Sequence, residues 1–310
     1  MNGRQHRPVV QAIGECMVEV TRDSGDARIS YSGDTYNTAV YLARSAAARQ
    51  IPVDVRYLSG LGEDAESDLM RSRWQAEGVG DDALVLPGRR PGLYMITTDE
   101  HGERTFSYWR TGSAAAAMFA ETDWVGRVDG AYVYLSGITL QLTSAVSRAQ
   151  LVARLASLRT TGTRVVFDSN YRPQGWASRE AARAAMDEVL RVTDIALVTW
   201  EDEHALTGCD DVRASVDRLT GLGVEEVVVK EGPKGAWVLE DGQLAHIGTR
   251  AVEPVDTTAA GDSFNGAYLA ARIAGDAPCG AAEAGNALAS EVIRHRGAII
   301  DADRMPIRAP

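Results

Sequence analysis

VDTTAAGDSFNGAYLAARIAG, residues 255–275, places a run of small residues and a carboxylate at the start of an apolar periodic segment. The apolar side chains from Phe264 to Ala271 follow helical spacing, so the pattern predicts a helix that begins near Gly261 or Asp262. The first N–H groups of a helix lack intrahelical partners and carry the positive end of its dipole. Small residues in front of them let an anion approach closely. The stretch therefore predicts an anion site with the carboxylate of Asp262 beside it.

An aspartate at this place has two interpretations. It could be an ordinary N-cap that accepts a hydrogen bond from the first turn, and an isolated Gly-Asp pair favours that interpretation. It could also be a general base that takes a proton from a hydroxyl group beside the bound anion. Phosphoryl transfer depends mainly on positioning and on electrostatic stabilisation, which a carboxylate next to an anion site supplies.

Composition limits the classes of partner. The chain has 310 residues with 45% hydrophobic and 24% charged residues, and its formal net charge is -11. This acidic balance argues against non-specific binding to nucleic acid or to anionic membranes. The three cysteines show no metal-ligand spacing, and no apolar run approaches the roughly 18 residues that a membrane span requires. We therefore expect a cytoplasmic protein with reduced thiols that binds neither nucleic acid nor membrane.

Strand and helix patterns alternate over most of the chain. Segments rich in valine, AYVYLSG, RVVFDSN, DIALVTW and EEVVVKEG, are separated by helical patterns that include 143–158 and 179–190. Such alternation predicts an α/β fold with a mainly parallel central sheet and helices on both faces. A hairpin is predicted to turn at Asp241–Gly242, and helices at 262–274 and 280–295 close the chain.

Two β-rich segments, at about 15–32 and 92–110, lie outside this alternation. The second predicts a hairpin around Asp99–Gly102. The alternation of Leu93, Met95 and Thr97 on one strand and of Phe106 and Tyr108 on the other predicts one face that covers something and one that meets water. We predict a single domain over 1–310 into which these strands are inserted as a small β lid.

DTTAAGDSFNG, residues 256–266, resembles the C-terminal signature of the PfkB (ribokinase-like) family of sugar kinases. The resemblance implies a ribokinase-like fold, Asp262 as the catalytic base, and a phosphoryl site at Ala259, Ala260 and Gly261. Many relatives have glycine where Ala259 stands, but alanine still permits close approach of an anion. No Walker A motif and no G-x-G-x-x-G after a strand is present, which argues against P-loop and Rossmann proteins.

Two further segments resemble the family's ligand-binding segments. YSGDTYNTAVYLAR, residues 31–44, resembles the sugar-binding segment, with Ser32 in place of its first glycine; this implies that Gly33, Asp34 and Asn37 bind sugar hydroxyls. VVVKEGPKGAWV, residues 227–238, resembles the strand–turn–strand that borders the nucleotide, although GPKG by itself is typical of an ordinary hairpin turn. The ATP-binding residues implied by the resemblance are Lys230, Gly232, Gly235 and, from the last helix, Asn286.

The resemblance also implies ATP with Mg²⁺. The segment of this chain that aligns with the family's metal-binding residues departs from the family pattern. TWEDEHALTG, residues 199–208, stands where relatives often have N-x-x-E. Asp202 is the candidate to orient Mg²⁺ through water, because Mg²⁺ keeps several waters and accepts few protein ligands. Glu201 and Glu203 are alternatives, and an ordinary acidic helix start favoured by the helix dipole is another explanation. Asp256 and residues 296–298 are candidates for a monovalent-cation site.

Arg110 in FSYWRTGSAA and Arg172 in FDSNYRPQGW each stand near aromatic residues. A guanidinium group matches a carboxylate bidentately, so both favour a substrate that carries a carboxylate; surface cation–π packing is the alternative. Tyr94 and Tyr108 can add hydroxyl contacts from the lid. These segments resemble the branch of the family that phosphorylates 2-dehydro-3-deoxy-D-gluconate on its 6-hydroxyl. Kinases for 2-ketogluconate, fructose or ribose, and a sugar sensor without activity, remain alternatives. We also expect a homo-oligomer that forms through the lid.

Overall fold

The structure, a computed structural model, describes residues 7–23, 26–98, 104–121 and 123–306. Its strands are β1 Val9–Ile13, β2 Met17–Asp23, β3 Asp26–Ser32, β4 Asp54–Leu58, β5 Gly60–Leu61, β6 Val79–Asp81, β7 Leu84–Val85, β8 Leu93–Thr98, β9 Arg104–Trp109, β10 Tyr132–Ser136, β11 Arg164–Asp168, β12 Ile195–Thr199, β13 Glu226–Lys230, β14 Ala236–Glu240 and β15 Gln243–Ile247. Its helices are α1 Asp34–Ala48, α2 Ala65–Ala76, α3 Ala114–Glu121, α4 Gly137–Leu142, α5 Ala145–Arg159, α6 Arg179–Leu190, α7 Trp200–Thr207, α8 Val212–Gly221, α9 Ala260–Ile273 and α10 Pro278–Val292.

The central sheet has nine strands among the described residues, in the order β15-β14-β13-β12-β11-β10-β1-β4-β6. The pairs from β6 to β13 are parallel, and only β14 and β15 run antiparallel to their neighbours. The predicted mainly parallel sheet is thus confirmed, together with the hairpin at Asp241–Gly242. In a parallel sheet the carboxyl ends of the strands lie at one edge, where open α/β proteins bind ligands.

Helices cover both faces of this sheet, as the continuous valine-rich strands predict. Val133 and Leu135 of β10 belong to one apolar core, with Leu151 of α5. Tyr134, between them, belongs to a second core on the opposite face, with Phe264 of α9. In the part of the chain that the structure describes, no helix has both the length and the apolar character needed to cross a bilayer.

A separate four-stranded sheet, in the order β3-β2-β8-β9, forms the predicted lid. Its register shows which side chains of β8 and β9 share a face. Tyr94 is paired with Tyr108 and Ile96 with Phe106, so these four side chains share a face. Leu93, Met95 and Thr97 therefore lie on the other face, a relation that alternation within each strand leaves undetermined because it does not specify the register between strands. The predicted turn at Asp99–Gly102 lies outside the described residues.

A glycine brings the two helices of the predicted site together. Gly266 of α9 faces α1, and a Cβ on it would lie 2.7 Å from the backbone nitrogen of Leu42 and 2.8 Å from the carbonyl oxygen of Thr38. Only a residue without a side chain permits this approach. The close packing of α1 on α9 places the first turn of one helix beside the first turn of the other.

Candidate active site

Asp262 is not the N-cap of its helix. Helix α9 begins at Ala260, and its N-cap, Ala259, makes no side-chain hydrogen bond. Ala259 has φ 60 and ψ 17, a left-handed conformation that favours glycine and that alanine adopts at some cost in free energy. The ordinary cap interpretation of Asp262 is therefore wrong, and its carboxylate lies in the first turn beside backbone N–H groups that have no intrahelical partner.

The environment of Asp262 suits a general base. Asn37 of α1 donates a hydrogen bond from Nδ2 to its Oδ2 over 2.9 Å. The residue stays partly accessible, but protein surrounds its carboxylate. This desolvation, followed by repulsion from Asp34, raises the pKa of Asp262 to about 8. A base with a pKa near the working pH transfers protons efficiently.

The predicted sugar-binding segment lies beside Asp262. Ser32, which replaces a family glycine, donates a hydrogen bond to Oδ1 of Asn37 over 3.2 Å and so orients the amide towards Asp262. Gly33 is held to glycine by packing, since a Cβ there would collide with the carbonyl oxygen of Glu15. Asp34 accepts a hydrogen bond from Asn170 over 2.7 Å, and burial raises the pKa of its carboxyl group.

Lys230 belongs to the predicted nucleotide-binding segment, but its side chain reaches the start of α9. Its Nζ is 3.0 Å from Oδ1 of Asn265 and 3.4 Å from Oδ1 of Asp168, and the side chain is buried. A Cβ on Gly261 would lie 3.5 Å from this Nζ, so the ammonium group is next to the predicted phosphoryl site. Its positive charge lowers the pKa of Asp262, partly offsetting the desolvation.

The end of β11 and the loop after it connect these groups, and among their residues the sequence analysis assigned a role only to Arg172. Asp168 accepts a hydrogen bond from Asn265 over 2.8 Å, and Asn170, with φ 29, reaches Asp34. The backbone nitrogen of Tyr171 donates to Asp202 over 3.0 Å. A signal was available, because polar residues at the carboxyl end of a central parallel strand mark the usual ligand edge.

Arg172 and Asp202 lie next to each other. The Arg172 guanidinium is 3.7 Å from Oδ1 of Asp202 and its side chain is 55% exposed. Burial raises the pKa of Asp202 to about 6, although Arg172 opposes the shift. No group of three or more His, Cys, Asp or Glu side chains in the described residues could by itself hold a metal ion. Mg²⁺ keeps several waters and accepts few protein ligands, so a single carboxylate such as that of Asp202 is compatible with it.

One alternative for the metal is wrong. Glu203 is buried and forms an ion pair of 2.7 Å with Arg218 of α8, so its carboxylate is directed into the protein. Because Glu203 is buried, it also does not fit the alternative of an acidic helix start exposed to water. Glu201 is exposed.

The lid residues Tyr94 and Arg110 have partners within the protein. Tyr94 is buried and donates its hydroxyl proton to Glu19, while Tyr108 is 54% exposed with its ring 5.6 Å from that of Tyr94. Arg110 lies against the carboxylate of Glu15, with Nη2 2.5 Å from Oε2. The lid thus offers the Tyr108 hydroxyl group directly and the guanidinium of Arg110 beside an internal carboxylate.

The predicted nucleotide residues differ in their surroundings. Gly232 has φ 51 and nothing within 4 Å of where a Cβ would be, so its backbone is open to a ligand. Gly235, by contrast, is required by packing, because a Cβ there would collide with the carbonyl oxygen of Ile247. Asn286 donates its amide protons to the carbonyl oxygens of Ile247, at 2.9 Å, and Gly248. These two residues hold the end of β15 in place whether or not they also meet a ligand.

Asp256 joins the two loops that were predicted to frame a cation. Its Oδ1 accepts from the backbone nitrogen of Thr258 over 3.0 Å, and its Oδ2 from that of Gly297 over 2.7 Å. A cavity of about 940 Å³ lies between these loops and the lid strands, lined by Glu19 and Ser32 on the lid side.

Comparisons with known proteins identify the family. Residues 9–305 match the model of the pfkB family carbohydrate kinases. The 2-dehydro-3-deoxygluconokinase of Dickeya dadantii (strain 3937) is 41% identical over 308 residues, which are 96% of this chain and 98% of that protein. The enzyme of the same name from Escherichia coli (strain K12) is 40% identical, with the same coverage. An Escherichia coli structure assigned as ribokinase II, in complex with ATP and Mg²⁺, superposes with a TM-score of 0.80 at 24% identity and covers 94% of each chain; at this identity it shows the fold alone. The chain belongs to the pfkB family of carbohydrate kinases.

Proposed function

We propose that this kinase transfers the γ-phosphoryl group of ATP to the 6-hydroxyl group of 2-dehydro-3-deoxy-D-gluconate. The observation that carries the assignment to phosphoryl transfer is the first turn of α9, where Asp262 is oriented by Asn37 next to the ammonium group of Lys230. The identity of about 40% to enzymes named for this substrate, over nearly the whole chain, supports the choice of sugar acid.

The residues divide the reaction between them. Asp262 takes the proton of the attacking hydroxyl group, which Asn37 and Asp34 help to place. The N–H groups of the α9 start, at Ala259, Ala260 and Gly261, and the charge of Lys230 stabilise the transferred phosphoryl group. Asp202 would hold Mg²⁺, and the ion would supply positive charge that offsets that of the phosphates.

The remaining predicted contacts complete the proposal. Arg110, Arg172 and Tyr108 bind the carboxylate end of the substrate, and Gly33 approaches a hydroxyl group with its backbone. Gly232 approaches the nucleotide, and Asp256 with the loop at 296–298 is the place for a monovalent cation. The cytoplasmic location remains a prediction.

The first test removes the base. Asp262→Asn keeps the shape of the side chain but cannot accept the proton, so kcat is expected to fall by at least about 10²-fold, the lower end of general-base contributions. The KM for the sugar acid should change little. A coupled assay of ADP release over a panel of sugars and sugar acids measures both. Unchanged turnover would exclude Asp262 as the base, and a wild-type preference for neutral sugars would exclude the proposed substrate.

The second test concerns the substrate carboxylate. Arg172→Ala removes an exposed guanidinium, and the loss of a hydrogen bond to a charged group predicts a fall in kcat/KM for the sugar acid of about 10-fold or more. Turnover of a neutral sugar, measured in the same assay at high enzyme concentration, should fall less, because it has no carboxylate to lose and any effect through Asp202 is common to both substrates. Equal losses on both substrates would contradict the assignment.

We also propose that two copies associate through their lids. The lid exposes large apolar side chains on both of its faces, Ile29 and Trp109 on one and Phe106 and Tyr108 on the other. Exposed apolar side chains of this size are typical of an interface between subunits. A second copy of the chain is the proposed partner, and association would cover part of the face that carries Ile29 and Trp109.

A further inference from the structure

The lid and the body meet at Glu15. In the described residues the chain crosses between them from β1 to β2, from β3 to α1, from β7 to β8 and from β9 to α3. Glu15 lies on the first crossing and is only 2% exposed. Residues of the three other crossings, Gly33, Gly92 and Arg110, all lie against it.

The contacts at Glu15 are close. Its carboxylate accepts a hydrogen bond from the hydroxyl group of Ser113 and lies 2.5 Å from Nη2 of Arg110. A Cβ on Gly92 would be 2.8 Å from its Oε1, and a Cβ on Gly33 would collide with its carbonyl oxygen. Glu15 therefore contacts both the guanidinium group of Arg110 and the segment that carries Gly33, and it links their positions.

The pairing uses only part of the Arg110 fork. Among the described residues, Nε and Nη2 of Arg110 are enclosed by protein, and Nη2 lies against Oε2 of Glu15. The Arg110 side chain is still 26% exposed. A guanidinium group has five N–H donors in a rigid fork, so it can face one carboxylate inside the protein and a second one on a ligand.

We propose that Glu15 is a positioning residue that holds the guanidinium of Arg110 at the substrate site, with part of its fork left for the carboxylate of the sugar acid. This inference rests on the proposed function, since it requires an acidic substrate. The negative charge of Glu15 balances Arg110 while the site is empty. A buried ion pair adds little net stability, but it fixes a charge in one place.

The test is Glu15→Gln, which keeps the size of the side chain and removes its charge. The KM for the sugar acid should rise by about 10-fold or more, the effect of misplacing a charge-assisted hydrogen bond. The kcat should stay within about 3-fold and the KM for ATP should not change, because Asp262 and Lys230 are untouched. Glu15→Asp, which keeps the charge on a shorter side chain, should give a smaller rise in KM and serves as the test if Glu15→Gln is insoluble.

A double-mutant cycle separates positioning from general damage. If Glu15 acts through Arg110, the variant with both Glu15→Gln and Arg110→Gln should be no weaker on the sugar acid than Arg110→Gln alone. Glu226→Gln is the matched control, because Glu226 is also buried and pairs with Arg272 at 2.7 Å, remote from the lid on the far end of β13. It should leave the KM unchanged.

The outcomes are distinct. An unchanged KM for Glu15→Gln (for Glu15→Asp, where Glu15→Gln is insoluble), or additive losses in the double variant, would overturn the positioning role while wild-type activity on the sugar acid still supports the proposed function. A wild-type enzyme inactive on every sugar acid would overturn both.

Discussion

Asp262 illustrates how one residue acquires a role from its surroundings. The carboxylate is desolvated and repelled by Asp34, yet stabilised by Asn37 and Lys230. The first two effects raise its pKa and the last two lower it, and the balance leaves the pKa at about 8. An aspartate exposed to water at the same point of a helix would be a weak base with a pKa near its ordinary value.

A pH profile tests this balance. Because the raised pKa keeps Asp262 protonated in acid, the fraction of active base increases with pH, and kcat/KM should rise through a limb near pH 8. Lys230→Met removes a charge that lowers this pKa, so the limb should move to higher pH. Lys234→Met, which removes a cation with a 69% exposed side chain from the adjacent hairpin, should leave the limb in place. A limb that stays or moves to lower pH in Lys230→Met would contradict the assigned electrostatics.

At the scale of elements, the site depends on how α1 and α9 pack. Asn37 belongs to one helix and Asp262 to the other, and the two meet because Gly266 lets the backbones come together. The same small-residue pattern that favours an anion at the helix start continues into the helix, where it serves packing. In the predicted nucleotide hairpin, Gly235 is likewise required by packing against the carbonyl oxygen of Ile247, independently of any ligand.

Gly266→Ala should separate the helices. The added methyl group would lie 2.7 Å from the backbone of α1, and overpacking of this kind typically costs about 1–3 kcal/mol in the free energy of unfolding. We expect a lower kcat as well, because Asn37 moves away from Asp262. Denaturant unfolding and the ADP-release assay measure the two effects. Gly280→Ala in α10, with nothing within 4 Å of the new methyl group, is the control and should be neutral or stabilising.

At the scale of the whole molecule, a lid sheet lies on one edge of an α/β body. Three groups of elements meet there: the carboxyl ends of β11 and β12, the starts of α1, α7 and α9, and the lid strands. In the proposed function the sugar acid is bound from both parts, by Tyr108 and Arg110 of the lid and by Arg172 of the body, whereas phosphate is bound by the body alone. Glu15, which contacts both Gly33 and Arg110, connects the lid residues to the body residues.

The association of lids can be tested in solution. Light scattering should give the mass of a dimer for the wild-type chain. Ile29→Glu places a charge on the exposed face of β3, where Ile29 is 64% exposed, and should raise the dissociation constant of the dimer by at least about 10-fold. Val146→Glu, at a 71% exposed position on α5, should not change the mass. A monomeric wild-type protein at all concentrations would exclude the proposed interface.

Several features follow from the sequence alone because they depend on neighbours along the chain. The helical period after Gly261, the valine-rich strands between helices and the composition of the hairpins determine where α9, the parallel sheet and the lid strands form. The likeness of 256–266 to one family then indicates the chemistry of Asp262.

Other features were decided only by tertiary structure, because they depend on sheet order, register and helix packing. Asn37 and Asp262 are 225 positions apart, and nothing local indicates that one binds the other. Alternation along β8 and β9 gave no register, so the shared face of Tyr94 and Tyr108 emerged only from strand pairing. The pairing of Glu203 with Arg218 likewise removed a metal candidate that its position along the chain had left open. Local periodicity specifies each element, whereas long-range packing specifies which side chains meet.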